Sequence, residues 1–143
     1  MNIFTIGFAQ KSAEEFFTLL TDNKVKKLID IRLNNKSQLA GFANAKHLPY
    51  FLKLHCIDYD YKSELAPTKE LLNGYKNKEV DWLEYEKVYN KILLDRDILN
   101  TISINELDNS VLLCSEPTAE QCHRRLAAEY LANSSNNIKI KHL

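Results

Sequence analysis

The sequence predicts an α/β fold in three layers, with a mainly parallel five-stranded sheet and helices on both faces. Two observations predict it. Short apolar segments alternate along the chain with longer segments that carry one apolar face, an order typical of parallel sheets covered by helices. The length of 143 residues, of which 45% are hydrophobic and 27% charged, suits one globular core. We therefore expect a single α/β domain over residues 1–143.

The predicted strands are short and rich in aliphatic residues. The third and the fifth alternate apolar with polar side chains, whereas the others are mainly apolar. The five segments are residues 3–6, 27–31, 57–61, 111–114 and 138–140. We expect the strand order 3-2-1-4-5, in which the direction of the connections switches between the first and fourth strands.

The main predicted helices begin at capping boxes, in which a Ser, Thr or Asp precedes a Glu or Gln by three residues. Such boxes occur at residues 12–15, 81–84 and 118–121. They predict a helix just after the first box, a second that ends at about residue 94, and a third over residues 119–132.

Three further segments carry weaker signals. Pro49 predicts the start of a helix, because proline is tolerated in the first helical turn. Ile98 and Ile102 are spaced by about one helical turn and favour another helix. Residues 34–44, which include Gly41, are predicted to form an exposed loop.

The charge and cysteine content restrict the partners and the compartment. Nineteen basic and nineteen acidic residues give a formal net charge of +0, which argues against binding along a DNA duplex but allows a small anionic ligand or a nucleic-acid end. We see no signal peptide and no apolar stretch long enough to span a membrane, so we expect no membrane partner. Three cysteines, an odd number, favour a reducing compartment, and we expect a cytoplasmic protein.

The carboxyl ends of the predicted strands carry polar residues, and ligands of open parallel sheets bind beyond these ends. Gly7 ends the first strand and leaves space there. Asp30 and Arg32 are two residues apart at the end of the second strand, so their side chains lie on the same side of an extended chain. The fourth strand is followed by the polar residues Cys114, Ser115 and Glu116. We predict a polar pocket at this edge of the sheet.

The predicted helix over residues 119–132 carries a histidine on its apolar face. At about 100° per residue, His123 falls within the apolar stripe, Cys122 at one margin and Arg124 beyond the other. The members of the stripe are Ala119, Leu126, Ala127 and Tyr130. An inward His beside a strand end that carries Cys and Glu is the most informative feature of the sequence.

Taken together, the segments 5–7, 29–32, 113–116 and 122–125 resemble the domain of unknown function 488 family. The resemblance covers essentially the whole chain and implies an α/β fold with a shared set of polar positions, but no activity. Two departures stand out: Phe8 replaces a His that many members have after the first Gly, and residues 33–37 replace a Pro- and Ser-containing segment.

Each candidate residue has a structural reading beside the functional one. His123 is either a general acid or base, or a core histidine bonded to a strand carbonyl. Cys114 and Cys122 are a nucleophile and its partner, metal ligands with His123, or buried thiols. Their spacing is neither a paired Cys-x-x-Cys nor the short Cys-to-Arg loop of sulfurtransferases and tyrosine phosphatases, and we assign no metal. Arg32 either binds an anion or forms an ion pair with Asp30 that stabilises the end of the strand.

Two functions are consistent with these residues. In the first, the protein is an enzyme acting on a small anionic or nucleotide-like substrate. Arg32 and Arg124 bind the anion and His123 moves a proton. The other residues we assign are Asp30 or Glu116 as the carboxylate partner, Cys114 as a nucleophile, and Gly7, Ser115 and Cys122 as substrate-binding positions.

In the second function, the same crevice is a non-catalytic binding module for a nucleotide, a nucleic-acid end or an acidic peptide, in a form that could depend on a metal. The sequence specifies no cofactor.

Overall fold

The computed structural model describes residues 1–36 and 41–143, and its centre is one parallel sheet. The strands are β1 (Asn2–Gly7), β2 (Lys27–Asp30), β3 (Asp58–Tyr61), β4 (Ser110–Cys114) and β5 (Lys139–His142). All neighbouring pairs are parallel. The five predicted strands are therefore confirmed, with ends that differ by one or two residues.

The strand order is β3-β2-β4-β1-β5, so the predicted order was wrong in exchanging β1 and β4. β4 pairs with β2 on one side and with β1 on the other, which places Cys114 opposite Gly7 and Leu113 opposite Asp30. All five residues of β4 are buried, as suits the central strand of a sheet covered on both faces. The apolar composition of β4 and β1 is similar, so it does not encode which of them lies at the centre.

Within the described residues, six helices cover the sheet. They are α1 (Ala13–Asp22), α2 (Leu48–Leu54), α3 (Lys69–Lys76), α4 (Trp82–Asp95), α5 (Ile98–Thr101) and α6 (His123–Ala132). Short 3-10 turns lie at Gly41–Ala43, Ser63–Leu65 and Ile104–Leu107. None of the helices in the described residues is both long and apolar enough to cross a membrane.

Two apolar clusters lie on opposite faces of the sheet, which confirms the three layers. Successive strand residues alternate between them: Leu28 packs with α1 and α2, and Ile29 packs with α4 and α6. The same alternation separates Val111 from Leu112 in β4.

Two of the predicted capping boxes cap a helix, and the third does not. The Ser12 hydroxyl accepts the Glu15 amide at 3.1 Å, and Asp81 accepts the Glu84 amide at 2.8 Å. The predicted start of α6 at residue 119 was wrong, because α6 begins at His123 with Cys122 at its N-cap and no side-chain cap. Residue Gln121 of the third box instead accepts a hydrogen bond from the Tyr75 hydroxyl at 2.9 Å.

The predicted loop over residues 34–44 is only partly an exposed loop. Residues 37–40 of it lie outside the described residues. Gly41–Ala43 form a 3-10 turn in which Ala43 is buried. The remaining predictions, a helix near Pro49 and one through Ile98, are confirmed by α2 and by the short α5.

Candidate functional site

A cavity of about 900 Å³ opens at the carboxyl ends of β2 and β4 and beside the segment that follows β1. One side is formed by β4 and the start of α6, and the other by α3, the start of α4 and the chain between them. Six of the nine residues predicted for the site line it: Arg32, Cys114, Ser115, Glu116, Cys122 and His123. The position agrees with the rule that ligands bind beyond the carboxyl ends of parallel strands.

Cys114 and His123 are in direct contact on the cavity wall. Cys114 is the last residue of the central strand, and His123 is the first residue of α6. The Cys114 Sγ lies 3.4 Å from the His123 Nδ1, and the His123 Nε2 lies 2.9 Å from the carbonyl oxygen of Ile31. Since a carbonyl only accepts, Nε2 carries a proton, and Nδ1 is the nitrogen that exchanges a proton with the thiol.

The surroundings of this pair favour its charged form. Burial opposes ionisation of Cys114, but hydrogen bonding from Cys122 and both the charge and the hydrogen bond of His123 hold the pKa of Cys114 well below its usual range. The backbone of Glu116 also lowers the pKa of Cys114. Burial likewise opposes protonation of His123, yet the adjacent Cys114 raises the pKa of His123. Both shifts favour a Cys114 thiolate next to a His123 imidazolium.

The Cys122 thiol remains protonated beside them. Its hydrogen bond to Cys114, together with burial, raises the pKa of Cys122. The ligand atoms of Cys114, Cys122 and His123 all lie within 4.8 Å of one another. Sulfur and imidazole are preferred ligands of zinc, so these three atoms are the group in the described residues that could hold a metal, with a fourth position left open.

Arg32 reaches the cavity in a fixed orientation. Its Nε and Nη2 each donate to the Asp30 carboxylate at 2.8 Å, and its own amide donates to the same group. Asp30 also accepts from the Tyr59 hydroxyl at 2.7 Å and is fully buried. Asp30 does not line the cavity, and its contacts are those of a group that positions Arg32.

Gly7 and Arg124 lie behind the cavity wall and do not line it. Arg124 is fully buried, and its Nη1 donates to the carbonyl oxygen of Glu116, which passes directly over Gly7. A Cβ at residue 7 would overlap both groups. The space at Gly7 is thus filled by protein, and Arg124 supports the segment that carries Glu116.

The aromatic wall of the cavity was not among the sequence-based predictions. Tyr75, Trp82 and Tyr85 lie together there, and the Trp82 and Tyr85 rings are stacked with centroids 4.9 Å apart. Trp82 and Tyr85 are three residues apart at the start of α4, a spacing that places them on one helix face and that could have been read as a signal. Phe8 lies against the Arg32 guanidinium at 5.4 Å from the ring centroid.

Comparison with known proteins identifies the family of the chain. No curated protein and no solved structure matches the chain. The sequence model of the family described as "Domain of unknown function DUF488" matches residues 12–131, which include the Asp30–Arg32 pair and the Cys114–His123 pair. The resemblance inferred from the motifs is confirmed, and the chain belongs to the DUF488 family.

Proposed function

We propose that this protein is an enzyme that binds a small anionic or nucleotide-like molecule in the cavity and attacks it with the Cys114 thiolate. The observation that carries the proposal is the 3.4 Å contact between the Cys114 Sγ and the His123 Nδ1 on the cavity wall. A thiolate is the reactive form of cysteine, and a buried cysteine is reactive only where neighbours stabilise that form. Cys114 has three such neighbours, and it borders open space.

His123 would act as the acid–base partner. After the sulfur attacks an electrophilic atom of the substrate, the leaving group needs a proton, and the Nδ1 proton of the imidazolium is adjacent to the reacting sulfur. The bond from Nε2 to the Ile31 carbonyl fixes the ring in the orientation that this transfer needs. Glu116 borders the cavity and is exposed, so its carboxylate is available for a second proton transfer.

The substrate class follows from the groups around the cavity. Arg32 is held by Asp30 through two of its nitrogens, and its Nη1 has no hydrogen bond among the described residues, which leaves both N–H groups of Nη1 for an anion. Lys76 and Lys78 also border the cavity. The Trp82 and Tyr85 rings offer planar apolar surface to an aromatic ring. A ligand with an anionic group joined to a planar ring would contact both Arg32 and the Trp82 and Tyr85 rings.

The test is a thermal-shift screen of nucleotides, phosphorylated metabolites and organic acids, followed by turnover assays of the hits. A true ligand at about one hundred times its dissociation constant should stabilise the protein by about 2.7 kcal/mol. We expect Cys114→Ser to keep the stabilisation and lose turnover, and Arg32→Ala to lose the stabilisation. Cys56→Ser is the matched control, because Cys56 is exposed and does not line the cavity. Turnover that survives in Cys114→Ser would contradict the proposal.

The pH dependence of alkylation tests the nucleophile without a substrate. Because the pKa of Cys114 is lowered, its thiolate persists as the pH falls, and its reaction with iodoacetamide should change little between about pH 8 and pH 6. An ordinary thiol with a pKa near 8.5 loses about tenfold in rate per pH unit over this range. We expect His123→Ala to restore the ordinary profile and to slow alkylation at pH 7 by about ten- to thirtyfold. Peptide mapping resolves Cys114 from the other two thiols.

The second candidate function is a non-catalytic binding module for a nucleotide, a nucleic-acid end or an acidic peptide. The observation that favours it is the convergence of three potential ligand atoms within 4.8 Å, which suits a bound metal better than a substrate-facing nucleophile. Metal analysis of the purified protein separates the two functions. One equivalent of zinc that is retained during dialysis against a weak chelator would favour the module, whereas metal-free protein with a rapidly alkylated Cys114 favours the enzyme.

We also infer that the protein works in a reducing compartment such as the cytoplasm. Cys56, Cys114 and Cys122 are all free thiols in the structure, and the proposed nucleophile functions only while it is reduced.

A further inference from the structure

Cys122 is placed beside Cys114 in a way that the proposed function does not use. It is only 2% exposed, yet it borders the cavity, and its Sγ lies within 4.8 Å of the Cys114 Sγ. Two cysteine sulfurs this close together on the wall of a cavity are the arrangement in which a first oxidised cysteine is captured by a second.

We propose that Cys114 and Cys122 form a reversible dithiol–disulfide couple through which the protein reduces hydroperoxides. This inference rests on the proposed function in one respect, the reactive Cys114. The Cys114 thiolate attacks the terminal peroxide oxygen, the O–O bond breaks, and the departing alkoxide or hydroxide takes the Nδ1 proton of His123. The products are a sulfenic acid on Cys114 and an alcohol or water.

The second step uses Cys122. Neutral His123 accepts the proton of the Cys122 thiol, whose sulfur attacks the Cys114 sulfur, and the S–S bond forms as the S–O bond breaks. The departing hydroxide receives that proton and leaves as water. The peroxide has then gained two electrons and the two cysteines have lost two. A dithiol reductant returns both cysteines to the thiol form by exchange.

The backbone around Cys122 allows the sulfur atoms to approach. Cys122 is the extended N-cap of α6, and the segment 115–121 before it belongs to no helix or strand. Cys114, in contrast, is fixed in the central strand. Closing the bond therefore requires movement of the segment before α6 and leaves the sheet unchanged.

The experiment treats the full chain carrying Cys56→Ser with hydrogen peroxide in the presence of a chelator. Cys56→Ser removes the exposed thiol and prevents disulfides between molecules. Peptide mapping without reductant should find a Cys114–Cys122 disulfide that dithiothreitol reverses. Adding Cys122→Ser should replace the disulfide with a sulfenic acid on Cys114, which dimedone traps, and adding Cys114→Ser should abolish both products.

Two results would overturn the inference, and they separate it from the proposed function. If Cys114 is alkylated rapidly but peroxide converts it to a sulfinic acid with no disulfide, Cys114 is a nucleophile and the Cys114–Cys122 couple does not exist. If Cys114 is alkylated no faster than a denatured thiol, both proposals fail. The mapping of the disulfide uses no variant of the two cysteines, so the result does not depend on whether a substituted protein folds.

Discussion

At the scale of single residues, the site depends on one polar pair at the end of the central strand. Cys114 and His123 are both buried, and each would be unfavourable as an isolated charge. As a thiolate and an imidazolium, each charge would stabilise the other, and the directions of the pKa shifts of both groups favour this form. Asp30 and Arg32 follow the same principle one strand away, where two parallel hydrogen bonds satisfy the buried carboxylate.

We expect the replacement of Gly7, even by alanine, to destabilise the fold more than other substitutions of similar size. A Cβ there would overlap the carbonyl oxygen of Glu116, a backbone atom that cannot rotate away. We predict that Gly7→Ala lowers the free energy of unfolding by about 2–4 kcal/mol. Urea denaturation measures this.

Gly41→Ala is the matched control, because a Cβ at Gly41 has no atom within 4 Å among the described residues. The control should leave stability unchanged or raise it by up to about 1 kcal/mol, since alanine reduces the entropy of the unfolded chain. Equal effects of the two substitutions would show that residue 7 does not lie in close contact with the carbonyl oxygen of Glu116.

At the scale of elements, the start of α6 decides the geometry of the site. A helix that began at residue 119 would place His123 one turn inside it. Because α6 begins at His123, the segment 115–121 is irregular, and the backbone of Glu116 lies where it lowers the pKa of Cys114. The late start of α6 therefore places both the histidine and the Glu116 backbone beside Cys114.

Matched substitutions at two Ser/Thr positions test this boundary. Ser12→Ala removes the hydroxyl that caps α1 at 3.1 Å, and we expect a loss of about 1 kcal/mol of stability. Thr118→Ala removes the hydroxyl of the box that does not cap α6, and we expect a change within about 0.5 kcal/mol. A loss at Thr118 as large as that at Ser12 would mean that α6 begins earlier in solution.

At the scale of the whole molecule, the sheet order determines which residues meet. With β4 between β2 and β1, the strand ends at Asp30, Cys114 and Gly7 are immediate neighbours. In the order 3-2-1-4-5, β1 would separate Asp30 and Arg32 from Cys114. The single cavity that Arg32 and Cys114 share is therefore a consequence of topology.

Amide hydrogen exchange tests this arrangement across the sheet. β4 is central and wholly buried, whereas β3 lies at an edge and all four of its residues are partly or fully exposed. We predict that the slowest amides of β4 exchange only through global unfolding, and that those of β3 exchange faster through local opening. Equal protection of the two strands would contradict a central β4.

The sequence by itself determined the class of fold, because local patterns of apolar and polar residues specify its strands and helices. Apolar runs predicted three strands and alternation of apolar with polar residues predicted the other two. The caps at Ser12 and Asp81 located two helices, since a cap depends on residues only three positions apart. The same reading named six residues of the cavity wall, because strand ends in a parallel sheet meet at one edge.

Only the tertiary structure decided how these residues meet. The order of β1 and β4 depends on long-range packing that two similar apolar strands do not encode. The third box caps no helix, and its Gln121 instead accepts a hydrogen bond from Tyr75, which is 46 residues away in the chain. Cys114 and His123 lie nine residues apart, and their contact depends on where α6 begins and on the Ile31 carbonyl that orients the ring. Local interactions specify the elements, and contacts between distant segments specify the site.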